Sequence, residues 1–220
     1  MRCTTGSIAI GASSVEKQLE VTPPMDGSNY FLEEADSTEF TISKEMLRSR
    51  ISWEQGGVDL LANELAAATL TLRQQSFYPL VASLFSYSGF PVWKPAQGDT
   101  NNRVDLILVD ADDSIPIEVK SATEVTFINA KSIQQALENK IIMDERSDFR
   151  TIRDSFSLVV GYDYPPVRSP VAEMVSNIRD VYGIRISMIS IRDLYKMAIH
   201  SMQANEKFER SMLADIASHL

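Results

Sequence analysis

Two carboxylates and an ammonium stand where apolar residues are expected. In the stretch NNRVDLILVDADDSIPIEVKS, residues 101–121, two apolar runs flank a short acidic turn. Asp105 interrupts the first run, and Glu118 and Lys120 interrupt the second. Side chains alternate faces along a strand, so Glu118 and Lys120 share one face while Ile115, Ile117 and Val119 share the other. A return near Ala111–Asp113 sets Asp105 beside Glu118. Two converging carboxylates make a hard, oxygen-rich site suited to Mg2+, which takes one or two carboxylates together with waters and phosphate oxygens. The backbone carbonyl of Val119 is a further candidate ligand. A divalent ion held there generates a nucleophile from water near neutral pH. Lys120 is placed to orient that water or to stabilise charge building on a pentacovalent phosphorus. Together these parts describe metal-assisted hydrolysis of a phosphodiester. The competing reading is a solvent-facing strand pair with a surface salt bridge.

The elements that must position these residues follow from periodicity and turn chemistry. From about Gly57 the chain reads as helix, with leucines and alanines at three- and four-residue spacing and Pro79 expected to split or bend it. GFPVW reads as a short strand, followed by strands at about Val104–Val109 and Ile115–Ser121 joined by DADDS. NAKSIQQALENKIIMDE is a helix with Ile133, Leu137 and Ile141 on one stripe, and FSLVVGYDY is a buried central strand and its exit. SPVAEMVSNIRDVYG opens with Ser169 as N-cap and Pro170 as first helical residue, and Gly183 lies just past its end. IRISMISI is another strand, and a closing helix runs from Arg192. Hairpin-linked strands come first and crossover helices later, so the expected class is α/β, a mixed sheet with helices on both faces. Residues 1–45 are rich in Ser, Thr, Gly and acidic residues and are expected to form a partly irregular arm; residues 46–220 form the folded domain.

Asp105 on one strand and Glu118-Val119-Lys120 on the next resemble the signature of the PD-(D/E)xK nuclease superfamily, from about Val58 to Ser190. Val104 stands where the signature has proline. The resemblance implies a restriction-endonuclease-like three-layer α/β/α fold, with core order αβββαβ followed by α, β, α. It implies catalysis by Asp105, Glu118 and Lys120, with Asp105, Glu118 and the Val119 carbonyl holding Mg2+, for which Mn2+ can substitute. Relatives often carry an extra acidic residue on the helix before the sheet; Glu64 is the best-placed candidate and Glu54 the second. A glutamate on a helix is also commonly a solvated surface residue. Expected DNA contacts are Arg103, Ser121, Lys131 and Gln135, with Arg168 and the neighbouring tyrosines a weaker set. Gln134, Gln135 and Glu138 also fit the wet side of an amphipathic helix.

The function implied is a Mg2+-dependent DNA endonuclease, a restriction or defence cleavage protein or subunit. The alternatives are a repair or recombination nuclease, resolvase-like, and a catalytically silent nuclease-fold module that binds DNA or assembles with others. The net charge of −9 opposes unaided DNA binding, because phosphate contacts supply most of the affinity of a DNA-binding surface. A homodimer or a DNA-recognition partner protein is therefore expected. One cysteine, Cys3, excludes an internal disulfide, and His200 and His219 alone do not make a histidine metal cluster. No apolar run approaches the ~20 residues of a membrane span, and the first residues lack the pattern of a secretion signal. A cytoplasmic location is expected. No phosphate-binding glycine loop or nucleophile elbow is present.

Overall fold

Strand alternation is realised face by face. A computed structural model describes residues 44–53, 57–95, 104–110, 112–145, 149–152 and 155–215. The expected N-terminal arm therefore lies outside the described residues up to 43, as do Glu54 and Arg103. In chain order the elements are α1 (Lys44–Trp53), α2 (Gly57–Ala68), α3 (Gln74–Tyr87), β1 (Val92–Trp93), β2 (Leu106–Leu108), β3 (Ile115–Val119), α4 (Ala130–Asp144), β4 (Phe156–Gly161), α5 (Val171–Tyr182), β5 (Arg185–Ser190), α6 (Ile191–Ala204) and α7 (Arg210–Asp215). The five strands form one sheet in the order β1-β2-β3-β4-β5. The first two pairings are antiparallel and the last two parallel, so the sheet is mixed.

One face of the sheet carries Ile115, Ile117 and Val119 of β3 with Leu158 and Val160 of β4, packed with residues of α2, α3 and α6 into the larger core. The opposite face carries Val159, Ile186 and Met188 against Ile133 and Ala136 of α4 and Val171 and Ile178 of α5. Helices thus cover both faces. Each fully buried Leu, Ile or Phe contributes roughly 1.5–3 kcal/mol relative to exposure. Among the described residues no helix is long and apolar enough to cross a membrane.

The helical stretch before the sheet breaks earlier than Pro79. Thr69 donates its hydroxyl to the Ala66 carbonyl at 2.7 Å, and turn bonds from Thr69 N to Ala66 O and Leu72 N to Thr69 O end α2. Pro79 sits inside α3. Its missing N–H leaves the carbonyl of Gln75 without a helical partner, and Gln75 is exposed, so water can serve that carbonyl. Asn129 caps α4 by accepting from Ser132 N at 3.0 Å. Ser190 caps α6, which starts at Ile191, one residue before Arg192. Pro170, rather than Ser169, takes the N-cap position of α5, and Gly183 ends that helix at φ 71°, the left-handed conformation glycine adopts without strain.

The acidic turn between β2 and β3 is built into the fold. Asp110 accepts from Asp112 N at 3.0 Å, an Asx-type turn. Asp113, 0% exposed, accepts from Ile152 N at 2.7 Å and Ser155 Oγ at 3.2 Å, and Arg210 of α7 pairs with its other oxygen. Lys140 of α4 is also 0% exposed and donates to Asp144 Oδ1 at 2.7 Å and to the Ile152 carbonyl at 2.8 Å. The turn is thereby tied to Ile152 and Ser155, the end of α4 to Ile152, and α7 to the turn.

Candidate functional site

The β2–β3 ladder pairs Leu108 with Ile115, Ile107 with Pro116 and Leu106 with Ile117. One step further along that register sets Asp105 across from Glu118, and residues directly opposite in an antiparallel pair share a face. Asp105 does not continue the ladder with its backbone. The N–H of Lys120 points to β4 and donates to the Val160 carbonyl at 2.8 Å, so the N–H of Val119 points the other way. Asp105 Oδ2 accepts that N–H at 2.8 Å. The carboxylate stands in for a ladder acceptor, which is why β2 begins at Leu106 rather than at Val104. Asp105 Oδ1 carries no hydrogen bond from a described residue.

Glu118 is 3% exposed and both its oxygens are engaged. Oε1 meets Lys120 Nζ at 2.6 Å, and Oε2 accepts from Asn139 Nδ2 at 2.8 Å. Asn139 lies on the inward stripe of α4 with Ser132, Ala136 and Met143. The helix thus covers the charged face of β3, and the solvent-facing strand pair is not what the structure contains.

Burial sets the electrostatics. Desolvation, then the charge of Glu118, pushes Asp105 up to about 7, against the pull of the Val119 N–H and the Lys120 ammonium. Burial likewise raises Glu118, while Lys120 and Asn139 pull it down. For Lys120, burial acts to lower the ammonium's pKa, but the hydrogen bond and charge of Glu118, with Asp105 and Glu124, raise it on balance. Lys120 is therefore a cation, 15% exposed, and it partly neutralises two carboxylates that repel each other.

A second ring of residues surrounds this pair. Tyr78, on α3, donates its hydroxyl to the Val119 carbonyl at 2.7 Å, and burial with the charges of Asp105, Glu124 and Glu118 holds that hydroxyl well above the usual phenol range. The carbonyl expected as a metal ligand thus has one lone pair taken. Glu124 Oε2 accepts from Ser121 N at 2.9 Å and Ser121 Oγ at 2.8 Å, and Oε1 accepts from Gln74 Nε2 at 2.5 Å. Lys120 Nζ is 4.0 Å from the same Oε1. Gln74 and Tyr78 are one helical turn apart, so both reach the site from one face of α3.

Asp105, Glu118 and Lys120 are brought together. Ser121 joins through Glu124 and is buried. Gln135 is half-buried on α4, one turn before Asn139, and its Oε1 is buried without a hydrogen-bond partner among the described residues. Lys131, in the first turn of α4, and Arg168 are exposed. Glu64 stands apart: it pairs with Arg50 at 2.8 Å, both about half exposed. The helix whose residues reach the site is α3, through Gln74 to Glu124 and Tyr78 to the Val119 carbonyl. Asn139, Glu124, Gln74 and Tyr78 were not singled out from sequence, although the four-residue spacings Gln74–Tyr78 and Lys120–Glu124 are visible there.

The donor set suits a small hard cation. Among the described residues no three His, Cys, Asp or Glu side chains converge to hold a metal. Mg2+ does not need three, since it keeps several waters and binds through one or two carboxylates. Asp105 Oδ1 and Glu118 Oε1 are the carboxylate oxygens that could face such an ion, and Lys120 Nζ lies 2.6 Å from the second of them. No protein-family model matches the chain, and no curated protein or solved structure matches it.

Proposed function

We propose that this chain is a Mg2+-dependent DNA endonuclease of the PD-(D/E)xK kind, with a restriction-endonuclease-like fold, working in a restriction or defence system. The observation that carries the reading is the opposition of Asp105 and Glu118 on adjacent strands with Lys120 bonded to Glu118 at 2.6 Å. A surface ion pair does not require a buried glutamate under a helix, and Glu118 is 3% exposed beneath α4. The order of elements from α3 to β4, helix, three strands, helix, strand, matches the core implied by the resemblance.

The ion, when bound, supplies a water-derived nucleophile near neutral pH and screens the phosphate charge. Asp105 and Glu118 are the residues that would hold it, through the carboxylate oxygens Oδ1 and Oε1. The second oxygen of each is fixed, by Val119 N–H and Asn139 respectively, so neither carboxylate needs to reorganise when the substrate arrives. Lys120 keeps its proton and donates to the reacting phosphate or to the attacking water. Lys131, exposed and one helical turn before Gln135 on α4, is with Gln135 the proposed contact to the DNA backbone. The net charge of −9 makes a second copy or a DNA-reading partner part of the proposal.

Plasmid cleavage with Mg2+ tests this, run with the chain alone and with candidate partners. Wild type is expected to nick or cut, and Lys120→Ala and Asp105→Ala to lose about 100-fold or more, the scale seen when one charge-stabilising group is removed. Glu64→Ala is expected to cut like wild type. Cleavage that survives both site substitutions sinks the assignment. Absence of cleavage under every condition favours a non-catalytic DNA-binding or assembly module.

A further inference from the structure

The ammonium of Lys120 and a divalent ion compete for one oxygen. Lys120 Nζ lies 2.6 Å from Glu118 Oε1, the oxygen that the proposed metal site requires. Glu118 is not free to turn away, because Asn139 holds Oε2 at 2.8 Å and the side chain is 3% exposed. Two cations on one carboxylate oxygen repel strongly in a partly dry site. The lysine, with its flexible stem, must be the group that moves.

Its destination is already in place. Glu124 Oε1 is 4.0 Å from Nζ, so a displacement of about 1 Å makes a charge-assisted hydrogen bond. The Glu124 carboxylate is held by Ser121 N, Ser121 Oγ and Gln74 Nε2 at 2.9, 2.8 and 2.5 Å. These three donors fix it as a stationary acceptor and keep it from reaching across to the Asp105–Glu118 pair. The Tyr78 hydroxyl donates to the Val119 carbonyl at 2.7 Å, accepts from Gln74 Nε2 at 3.2 Å and lies 3.4 Å from both Glu124 oxygens.

Resting on the nuclease reading above, we propose that Glu124 is a positioning residue for Lys120: the ammonium sits on Glu118 while the carboxylate pair lacks a divalent ion and passes to Glu124 when the pair takes one. The exchange keeps a cation inside the cleft, where the phosphate arrives. It also makes metal affinity depend on a carboxylate that never touches the metal. Gln74 and Ser121 act one step further out, by holding Glu124.

The test is a double-mutant cycle on metal binding, read by calorimetry with Mn2+ alone, on the intact 220-residue chain. Glu124→Gln in the wild-type background is expected to weaken Mn2+ binding about tenfold, a typical coupling for residues in one network. Lys120→Met is expected to tighten Mn2+ binding, because the competing ammonium is gone. Adding Glu124→Gln to Lys120→Met is expected to change affinity by less than about twofold. An equal loss in both backgrounds overturns the proposal by showing that Glu124 acts on the ion directly, and no loss in either also overturns it. If no variant binds Mn2+, Lys120→Met included, this proposal and the metal-centre reading fall together. Binding without coupling removes only this proposal. A second readout needs no change at Glu124. In wild-type protein with 15N-labelled lysine Nζ, the Lys120 signal, identified by its loss in Lys120→Met, is expected to shift on Mg2+ addition while staying protected from exchange. A signal unmoved in the Mg2+-bound protein contradicts the exchange.

Discussion

Asp105 is the residue whose burial has the plainest consequence. Its carboxyl is raised from 3.8 to about 7 in the folded, metal-free chain, first by desolvation and then by Glu118. The folded state therefore holds a proton that the unfolded state releases near pH 4. Stability linked to Asp105 is greatest below that point, falls as pH rises toward about 7 and stays lower above it. With chelator present, Asp105→Asn, which mimics the protonated form, is expected to be more stable than wild type at pH 8, by on the order of 4 kcal/mol for a rise from 3.8 to about 7 at about 1.4 kcal/mol per pKa unit. The gap should close toward pH 4, and urea unfolding across pH measures it. Asn139 is the second residue with a defined cost. Asn139→Leu keeps the shape but strands Glu118 Oε2 without a donor, an expected loss of about 1–3 kcal/mol in the same unfolding experiment. Glu118 and Lys120 were legible in the sequence because strand alternation separates them from Ile117 and Val119. Asn139 and Glu124 were not, because their significance depends on which helix and loop return to β3, and no local pattern encodes that return.

At the scale of elements, the site depends on two alignments: β2 against β3, and the loop from Lys120 to Asn129 against the end of β4. The first was readable, since the turn centred near Ala111–Asp113 dictates the register that pairs Leu106 with Ile117. The strand ends were not, because the Asp105 side chain replaces a backbone acceptor and shortens β2. The helix facing the site was also misjudged from sequence. Hydrophobic spacing runs through Thr69, and only the turn bonds there show that α2 and α3 are separate and that Glu64 belongs to α2, where it pairs with Arg50. The second alignment rests on a glycine. Ile128 N donates to the Asp163 carbonyl at 3.0 Å and Asp163 N to the Thr126 carbonyl at 3.2 Å, which lays residues 126–128 over the strand end. A Cβ at Gly161 would stand 2.5 Å from Ile128 Cγ1. Gly161→Ala is expected to destabilise by about 1–3 kcal/mol, the usual range for overpacking. Adding Ile128→Ala should cost less than the sum of the two single changes, because the clash is then gone. Thermal unfolding of the three variants checks this.

Over the whole molecule, the central strand β3 that carries the site is supported on both faces of the sheet. The apolar face of β3 lies on the larger core, and its charged face lies under α4, whose far end is anchored by buried Lys140. Buried ion pairs of this sort fix geometry more than they add stability, and here they hold the turn that sets the register of Asp105. The overall acidity was plain from composition, and it sets the one tension in the account: a phosphodiester site on a chain of charge −9. An acidic chain binds DNA weakly on its own, so the site's chemistry is most directly examined through the ion it is built to hold. Anomalous diffraction from crystals of the intact chain soaked in Mn2+ makes that examination. The account predicts a single strong peak between Asp105 Oδ1 and Glu118 Oε1, at about 2.0–2.2 Å from each as for a Mg2+-like octahedral ion. An empty Asp105–Glu118 pair at millimolar Mn2+, or a peak held by other residues, would contradict it.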